Sequence, residues 1–178
     1  MQIDTQVVTY LAEHRTWLLD RAALATMYVG SHRAPQALIG LVGFGIVMWM
    51  RNLRLGVATG SALILSTFLS EVLKGLIGRH RPPPSLAMVD AAGSSFPSGV
   101  AAMTAAVAIA FFLVVDWSTP LLRVLAALGL TALVLWINFC VVYLGVHWPT
   151  DVLAGWLLGG VIGVSAAWLV GRPRPSVA

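Results

Sequence analysis

The sequence is poor in charged residues, which make up 10% of its 178 positions. A soluble domain of this size carries about 25% charged residues, so the composition argues against a water-soluble globular protein. Cysteine occurs once, at Cys140, which excludes an intrachain disulfide. The first residues also lack a basic stretch followed by a short apolar core. We therefore expect no cleaved signal peptide, with the first true span acting as the insertion signal.

Hydrophobic residues are abundant instead, at 58% of the chain, and the mean hydropathy is +0.87. These values are typical of a membrane protein that crosses the bilayer several times within a single domain. Seventeen glycines fit close helix packing in lipid. The isoelectric point is about 10.0, but the arginines are scattered singly. They therefore indicate loop and headgroup contacts and no nucleic acid partner.

Apolar runs long enough to approach the roughly 20 residues of a membrane span predict an all-α integral membrane protein with five transmembrane helices. The predicted spans are Pro35–Met50, Leu55–Ile77, Val100–Val115, Leu121–Leu144 and Val152–Val170.

Residues 5–30 mix charged and apolar side chains. They predict either an amphipathic helix at the interface or a sixth, imperfect span over Trp17–Gly30. We divide the chain into an N-terminal helical segment (1–34), a transmembrane domain (35–171) and a polar tail (172–178).

Counting spans places the polar clusters of the chain on one face of the membrane. We call side B the face reached after the first predicted span, where Arg51 and Arg54 lie. The second span returns to side A and delivers residues 74–84 there. The fourth span also ends on side A, next to His147 and Asp151. A shared site on side A is therefore possible.

Cations are concentrated at the end of the second predicted span. Lys74, Arg79 and Arg81 precede the rigid segment Pro82–Pro84, and Glu71 lies one helical turn before Lys74. Snorkelling to the headgroups would explain Arg79 alone. Three cations on one stiffened loop predict a site for a multiply charged anion, with phosphate the obvious candidate.

The stretch SSFPSGV, residues 94–100, immediately precedes the third predicted span. Ser98 is well placed as an N-cap, which would by itself explain a serine there. A helix N-terminus also offers free amides to an anion, and Gly99 lets the backbone come close. The stretch therefore predicts a helix start that can hold phosphate oxygens.

His147 and Asp151 form the third cluster, around a helix start predicted at Pro149. Their spacing allows the carboxylate to reach the imidazole, which fixes its tautomer and raises the nucleophilicity of the other ring nitrogen. Alternatively, Asp151 only stabilises a helix N-terminus beside an interfacial histidine.

Taken in order, the three clusters resemble the type 2 phosphatidic acid phosphatase (PAP2) superfamily over residues 70–155. The matching motifs are Lys74-x6-Arg81-Pro82, Pro97-Ser98-Gly99 and His147-x3-Asp151.

This resemblance implies a PAP2-like helical bundle, with His147 as the nucleophile that forms a phosphohistidine and Asp151 as its orienting partner. It implies no metal and no cofactor. The phosphate ligands that it implies are Lys74, Arg81, Ser98 and Gly99.

Two positions depart from the motifs of that family. Val100 stands where the second motif has the histidine that protonates the leaving oxygen. Val141 stands where the third motif has a phosphate-binding arginine, after Cys140 in the place of the usual serine. Loss of a general acid typically costs about 10²–10⁴-fold, so an alkyl phosphate is expected to be a poor substrate.

Three hypotheses account for these departures. The substrate is a polyprenyl diphosphate, whose leaving group needs little protonation; or His80 or Arg79 replaces a missing group; or the chain is a catalytically impaired lipid-phosphate binder or accessory subunit. The sequence thus predicts a lipid phosphate or diphosphate phosphatase.

Outside the site, side B carries Arg51, Arg54, Arg123, Arg172 and Arg174, and side A carries Arg15, Arg21 and Arg33 if the N-terminal segment lies there. With the cations explained by phosphate set aside, this distribution favours side B as cytoplasmic. We therefore expect an inner-membrane protein whose site faces outward, to the periplasm.

Overall fold

The computed structural model describes residues 2–171 of the chain, and the predicted polar tail, 172–178, lies outside the described residues. Seven α-helices and a short 3-10 turn, Pro84–Leu86, make up this part. The helices are α1 (Gln2–Glu13), α2 (Trp17–Ser31), α3 (Arg33–Trp49), α4 (Leu53–Ile77), α5 (Gly99–Val114), α6 (Pro120–Tyr143) and α7 (Pro149–Leu169).

The all-α integral membrane fold predicted from the sequence is confirmed, and each predicted span corresponds to one helix from α3 to α7. Within residues 2–171, α4, α6 and α7 are long and apolar enough to cross a membrane. The apolar helices α3 and α5 are shorter, at 17 and 16 residues. The first and third predicted spans are thus the short ones.

Small residues let α5 pack closely against α7. Gly155, Gly159 and Gly163 follow one face of α7, and a Cβ added at Gly155 would lie 2.6 Å from the Cβ of Ala101 on α5. An added Cβ at Gly163 would lie 2.6 Å from the carbonyl oxygen of Ala106. Backbones can approach this closely only where no side chains lie between them. Helix α5 also contacts α4 and α6, so it lies at the centre of the bundle.

The predicted arrangement of the helix ends on two sides is also confirmed. On side B, Arg54 at the start of α4 donates from Nε to the carbonyl oxygen of Val170 after α7, at 3.0 Å. Arg51 and Asp116 line the same cavity as Arg54, which has a volume of about 440 Å³. The C-terminal end of α4 therefore lies at the opposite end of the bundle, with the start of α7.

The N-terminal segment forms two helices, and the break between them at residues 14–16 is not predicted by the sequence. α2 runs beside α6: the hydroxyl of Tyr143 donates to Asp20 at 2.6 Å, and the indole of Trp136 donates to Thr26 at 3.1 Å. These α6 residues are about 10 Å apart along the helix. Val8 of α1 joins the apolar cluster that includes Tyr143. The division of the chain at residue 34 stays a prediction.

Candidate active site

A left-handed glycine turns the chain out of α4 and directs the cationic loop across side A. Gly78 ends α4 with φ of +66°, a conformation that L side chains rarely adopt. The loop then folds back on itself, because the backbone of Ser95 donates to the carbonyl of Arg79 at 2.8 Å. Trp148, just before α7, donates from its indole to the carbonyl of His80 at 2.9 Å. The loop thereby lies against the start of α7.

Arg81 lies next to the imidazole of His147. Its guanidinium donates to the carbonyl of Val146 at 2.8 Å and to the carbonyls of Ala92 and Gly93 at 3.1 Å each. Its Nη1 lies 3.5 Å from Nε2 of His147. Burial lowers the pKa of Arg81, against the opposing charges of Asp151 and Glu71, but an arginine still remains charged at neutral pH. An anion bound by Arg81 would therefore lie next to Nε2 of His147.

His147 is buried, with 3% of its surface exposed, between the end of α6 and the start of α7. Its Nδ1 lies 3.5 Å from Oδ2 of Asp151, without the geometry of a hydrogen bond. Burial is the largest cause of a pKa below the usual value for His147, and the cations Arg81 and Lys74 lower it further, while contact with Asp151 raises it. The imidazole is thus neutral at pH 7 and able to act as a nucleophile.

Asp151 is the third residue of α7 and is completely buried. Its Oδ2 accepts from the backbone of Trp148 at 2.9 Å, so the carboxylate binds the N-cap residue of its own helix. The helix start predicted at Pro149 is confirmed. Asp151 therefore stabilises the N-terminus of its own helix, which is the alternative role predicted for it, and it also faces His147.

Lys74 faces the start of α5 and forms an ion pair with Glu71 at 2.6 Å, one turn earlier in α4. A Cβ added at Gly99 would lie 3.5 Å from the ammonium of Lys74. Ser98 is the N-cap of α5, as predicted, and accepts from the backbone of Ala101 at 3.3 Å. The backbone of Ser98 donates to the carbonyl of Asp151 at 3.0 Å, which ties the starts of α5 and α7 together. The predicted site residues thus converge on side A, while their chemical roles stay predictions.

Val100 and Val141 are part of one apolar cluster beside the pair formed by His147 and Asp151. Val141 is buried on α6, and Val100 is a partly buried residue in the first turn of α5. Their side chains contribute no proton donor and no cation at this end of the bundle.

Among residues 2–171, no group of three or more histidine, cysteine or acidic residues is arranged for a metal.

Sequence reasoning missed the main partners of Arg79. Its guanidinium donates to Oδ1 of Asp151 at 2.5 Å, to Oγ1 of Thr150 at 2.7 Å and to Oδ2 of Asp4 at 2.7 Å. Two of its nitrogens are therefore committed to carboxylates, which disfavours Arg79 as a phosphate ligand. His80 lies exposed on the same loop. Asp4 is isolated in an amphipathic segment, and the sequence contains no signal for its position.

Comparison with known proteins places the site motifs in a family context. The model of the PAP2 superfamily matches residues 55–175. An undecaprenyl-diphosphatase of Sulfolobus acidocaldarius is 31% identical over 66% of this chain and 56% of its own length. A putative undecaprenyl-diphosphatase of Escherichia coli is 34% identical over 70% of this chain and 63% of its own length. The chain thus spans less than two thirds of these curated relatives.

Two solved structures share the fold. A transmembrane PAP2-type phosphatidylglycerolphosphate phosphatase from Bacillus subtilis superposes with a TM-score of 0.80 at 23% identity, over 98% of this chain and 88% of that chain. Aquifex aeolicus LpxE superposes with a TM-score of 0.69 at 24% identity, over 91% and 93% of the two chains. Both likenesses concern the fold alone, and the Bacillus subtilis structure covers nearly the whole chain, including the N-terminal helices.

Proposed function

Because this chain belongs to the PAP2 superfamily, we propose that it is a membrane phosphohydrolase that removes the terminal phosphate of a polyprenyl diphosphate. The relatives named as undecaprenyl-diphosphatases make undecaprenyl diphosphate the first substrate to test. The observation that carries the proposal is the 3.5 Å separation between Nη1 of Arg81 and Nε2 of His147. A phosphate held by Arg81 has a neutral imidazole nitrogen beside it.

In the proposed reaction, Nε2 of His147 attacks the terminal phosphorus atom. The bond from phosphorus to the bridging oxygen breaks, and its electron pair leaves with the lipid monophosphate. Arg81, Lys74 and the free amides at the start of α5 stabilise the charge on the transferred group. Water then attacks the phosphohistidine and releases inorganic phosphate and neutral histidine.

The valine at position 100 supports a diphosphate as substrate. An alkyl phosphate must expel an alkoxide, which needs a proton from a general acid. A lipid monophosphate leaves as a stabilised anion and needs little protonation. The side chains of Val100 and Val141 supply no acid at the two motif positions, so these residues suit the leaving group that needs none.

Phosphate release by the purified full-length protein tests this proposal. Undecaprenyl diphosphate and phosphatidic acid are compared side by side in the same detergent, with wild type and His147→Asn. We expect turnover of the diphosphate, much slower turnover of phosphatidic acid, and no turnover by the variant. Labelled substrate should mark His147 covalently in wild type. Equal rates on both lipids would remove the diphosphate preference.

A second candidate function is a lipid-phosphate binder or accessory subunit that has lost its catalysis. The observation that favours it is the absence of both motif groups at positions 100 and 141. This function predicts undetectable phosphate release from either lipid together with retained binding of lipid phosphate. Binding that survives in wild type and is lost in Arg81→Gln, without turnover, would select it.

We also propose that the protein lies in the inner membrane with side A facing outward, since Arg51, Arg54 and Arg123 lie on side B. This orientation can be tested with a single cysteine on side A. The variant Asp90→Cys, made in a Cys140→Ser background, places that cysteine in the cationic loop region. A membrane-impermeant maleimide should label it in intact cells. Labelling only after permeabilisation would reverse the orientation.

A further inference from the structure

Asp4 is a buried carboxylate on α1, 2% exposed, in a helix that otherwise shows most of its polar residues to the surroundings. It accepts three hydrogen bonds: from the backbone of Thr150 at 3.1 Å, from the hydroxyl of Thr150 at 2.7 Å and from Arg79 at 2.7 Å. Burial raises the pKa of Asp4, but the bonds from Thr150 and Arg79 outweigh it and leave the pKa below its usual value. The carboxylate is therefore ionised and fully engaged.

Through Thr150, Asp4 caps the helix that presents Asp151. The first amides of an α-helix have no partner within the helix, and the N-cap of α7 is Trp148, whose side chain accepts no hydrogen bond from them. Asp4 supplies the missing acceptor to the amide of Thr150 from another helix. A carboxylate is also favoured at this position by the helix dipole. The start of α7 is thus held from α1.

Through Arg79, Asp4 also acts on the carboxylate next to His147. Arg79 lies between two acidic residues, donating from Nη2 to Asp4 and from Nη1 to Asp151. The Oδ2 atom of Asp151 is fixed by the backbone of Trp148 and faces Nδ1 of His147. Two carboxylates share the single charge of Arg79. If Asp4 were uncharged, Asp151 alone would neutralise Arg79.

We propose that Asp4 is a positioning residue for the hydrolytic reaction, and that α1 is part of the catalytic unit. Asp4 holds Arg79 and the first turn of α7, and these two hold Asp151 against His147. This inference rests on the proposed function. Asp4 precedes residue 55, where the match to the superfamily begins, so α1 adds a component that lies outside the matched region.

If Asp4 only anchored α1 to the bundle, it would make the same contacts. Kinetic measurements are therefore needed to distinguish an anchor from a positioning residue. Lys74, Arg81 and Gly99 make no hydrogen bond or ion pair with Asp4 among the contacts of residues 2–171. Phosphate binding should therefore survive the loss of Asp4. A shift of Asp151 toward Arg79 would instead weaken its contact with Nδ1 and slow attack by His147. The expected effect falls on kcat and leaves KM nearly unchanged.

Asp4→Asn and Glu13→Gln form a matched pair in the full-length protein. Each removes one negative charge from α1, but Glu13 is exposed at the far end of the helix. Steady-state kinetics use undecaprenyl diphosphate in detergent, with rates expressed per folded protein from the monodisperse size-exclusion peak. We expect kcat of Asp4→Asn to fall about 10- to 100-fold, because misplacing a reacting group by about 1 Å costs up to that much. KM should stay within about twofold, a change worth less than 0.5 kcal/mol at 1.4 kcal/mol per tenfold.

Two further variants complete the series. Asp4→Glu keeps the charge and should recover part of kcat. Thr150→Val removes only a hydroxyl that links Arg79 and Asp4, on a residue that is exposed, so we expect this variant to fold even where Asp4→Asn does not. It should lower kcat by a smaller factor with KM unchanged.

The series also separates this inference from the proposed function. Turnover by wild type, abolished in His147→Asn, tests the function; its absence overturns both. With wild type active, the inference is overturned if Asp4→Asn matches Glu13→Gln, or if its loss lies in KM. It is equally overturned if Thr150→Val retains full kcat when Asp4→Asn does not fold.

Discussion

Nη1 of Arg81 lies 3.5 Å from Nε2 of His147, so a permanent cation lies beside the nitrogen that we propose to be the nucleophile. The same cation attracts the phosphate and disfavours protonation of the imidazole. The groups facing His147 are Arg81 from the loop, Lys74 from α4 and Asp151 from α7. Their combined charge and the burial of the ring leave the histidine neutral at physiological pH.

This environment predicts the acidic limb of the pH profile. His147 must be unprotonated to attack, and burial together with the cations holds its pKa below the usual value of about 6.5. The kcat/KM value for the diphosphate should therefore stay flat as pH falls to about 6.5 and decrease only below that pH. Initial rates between neutral and acidic pH measure it.

Arg81→Gln shows whether the acidic limb reflects ionisation of His147 or ionisation of the substrate. Removing the cation raises the pKa of His147, so the acidic limb should move to higher pH, while ionisation of the lipid is the same in both measurements. The overall rate should also fall, since a phosphate ligand is lost. A limb that does not move would contradict the proposed contact between Arg81 and the nucleophile.

Gly99 offers a test of the phosphate site without loss of any charge. A Cβ at Gly99 would make ordinary contact with Lys74 and Ser70, the nearest atoms lying at 3.5 and 3.6 Å, so Gly99→Ala should fold normally. The methyl group would nevertheless occupy space between the ammonium of Lys74 and the first amides of α5. We expect kcat/KM to fall at least about tenfold, or 1.4 kcal/mol. Unchanged kinetics with an unchanged melting temperature would place the phosphate elsewhere.

Two adjacent glycines of α7 test the packing that brings the helix starts together. A Cβ at Gly159 would clash with the backbone carbonyl of Ala102, whereas at Gly160 the nearest atom is Cδ1 of Ile109 at 4.0 Å. Gly159→Ala should destabilise the protein by about 1–3 kcal/mol. Gly160→Ala should be neutral or stabilising, since alanine favours a helix by about 1 kcal/mol. Thermal unfolding in detergent measures both, and equal midpoints would contradict the close packing.

The helices of the bundle and the convergence of the motif residues could be predicted from the sequence. Apolar runs locate α3 to α7, and counting spans brings His147 and Arg81 to the same side. Local signals also fix the starts of α5 and α7, at the N-cap Ser98 and at Pro149. The apolar runs and the helix starts depend on residues close together in the chain, and counting those runs assigns each cluster to a side.

The contacts of Arg79 and Asp4 could not be predicted in this way. They join residues 75 positions apart, and no periodic pattern specifies which loop cation meets which distant carboxylate. The sequence predicts headgroups or phosphate as the partners of Arg79, because both are common partners of an arginine at the end of a span. Its actual position depends on where α1 lies against α7, which is decided by tertiary packing.

Val100→His tests whether the missing acid explains the expected preference for diphosphates. Val100 follows Gly99 in the first turn of α5, and its side chain lies in the cluster that contains Val141. A histidine there would place a proton donor near the start of α5, on the same side as His147. Because general acid catalysis contributes about 10²–10⁴-fold, turnover of phosphatidic acid should rise at least about tenfold. Hydrolysis of the diphosphate should change little, since its leaving group needs no proton.

Val100→Asn controls for polarity at the same position. Asparagine has a hydrogen-bonding side chain of similar reach, but it cannot transfer a proton at neutral pH, so phosphatidic acid should remain a poor substrate. The rate with Val100→His should also decline as pH rises and the new imidazole loses its proton. If both variants raise turnover equally, polarity is the limiting factor. If Val100→His hydrolyses the diphosphate normally without any gain on phosphatidic acid, the preference originates in another part of the site.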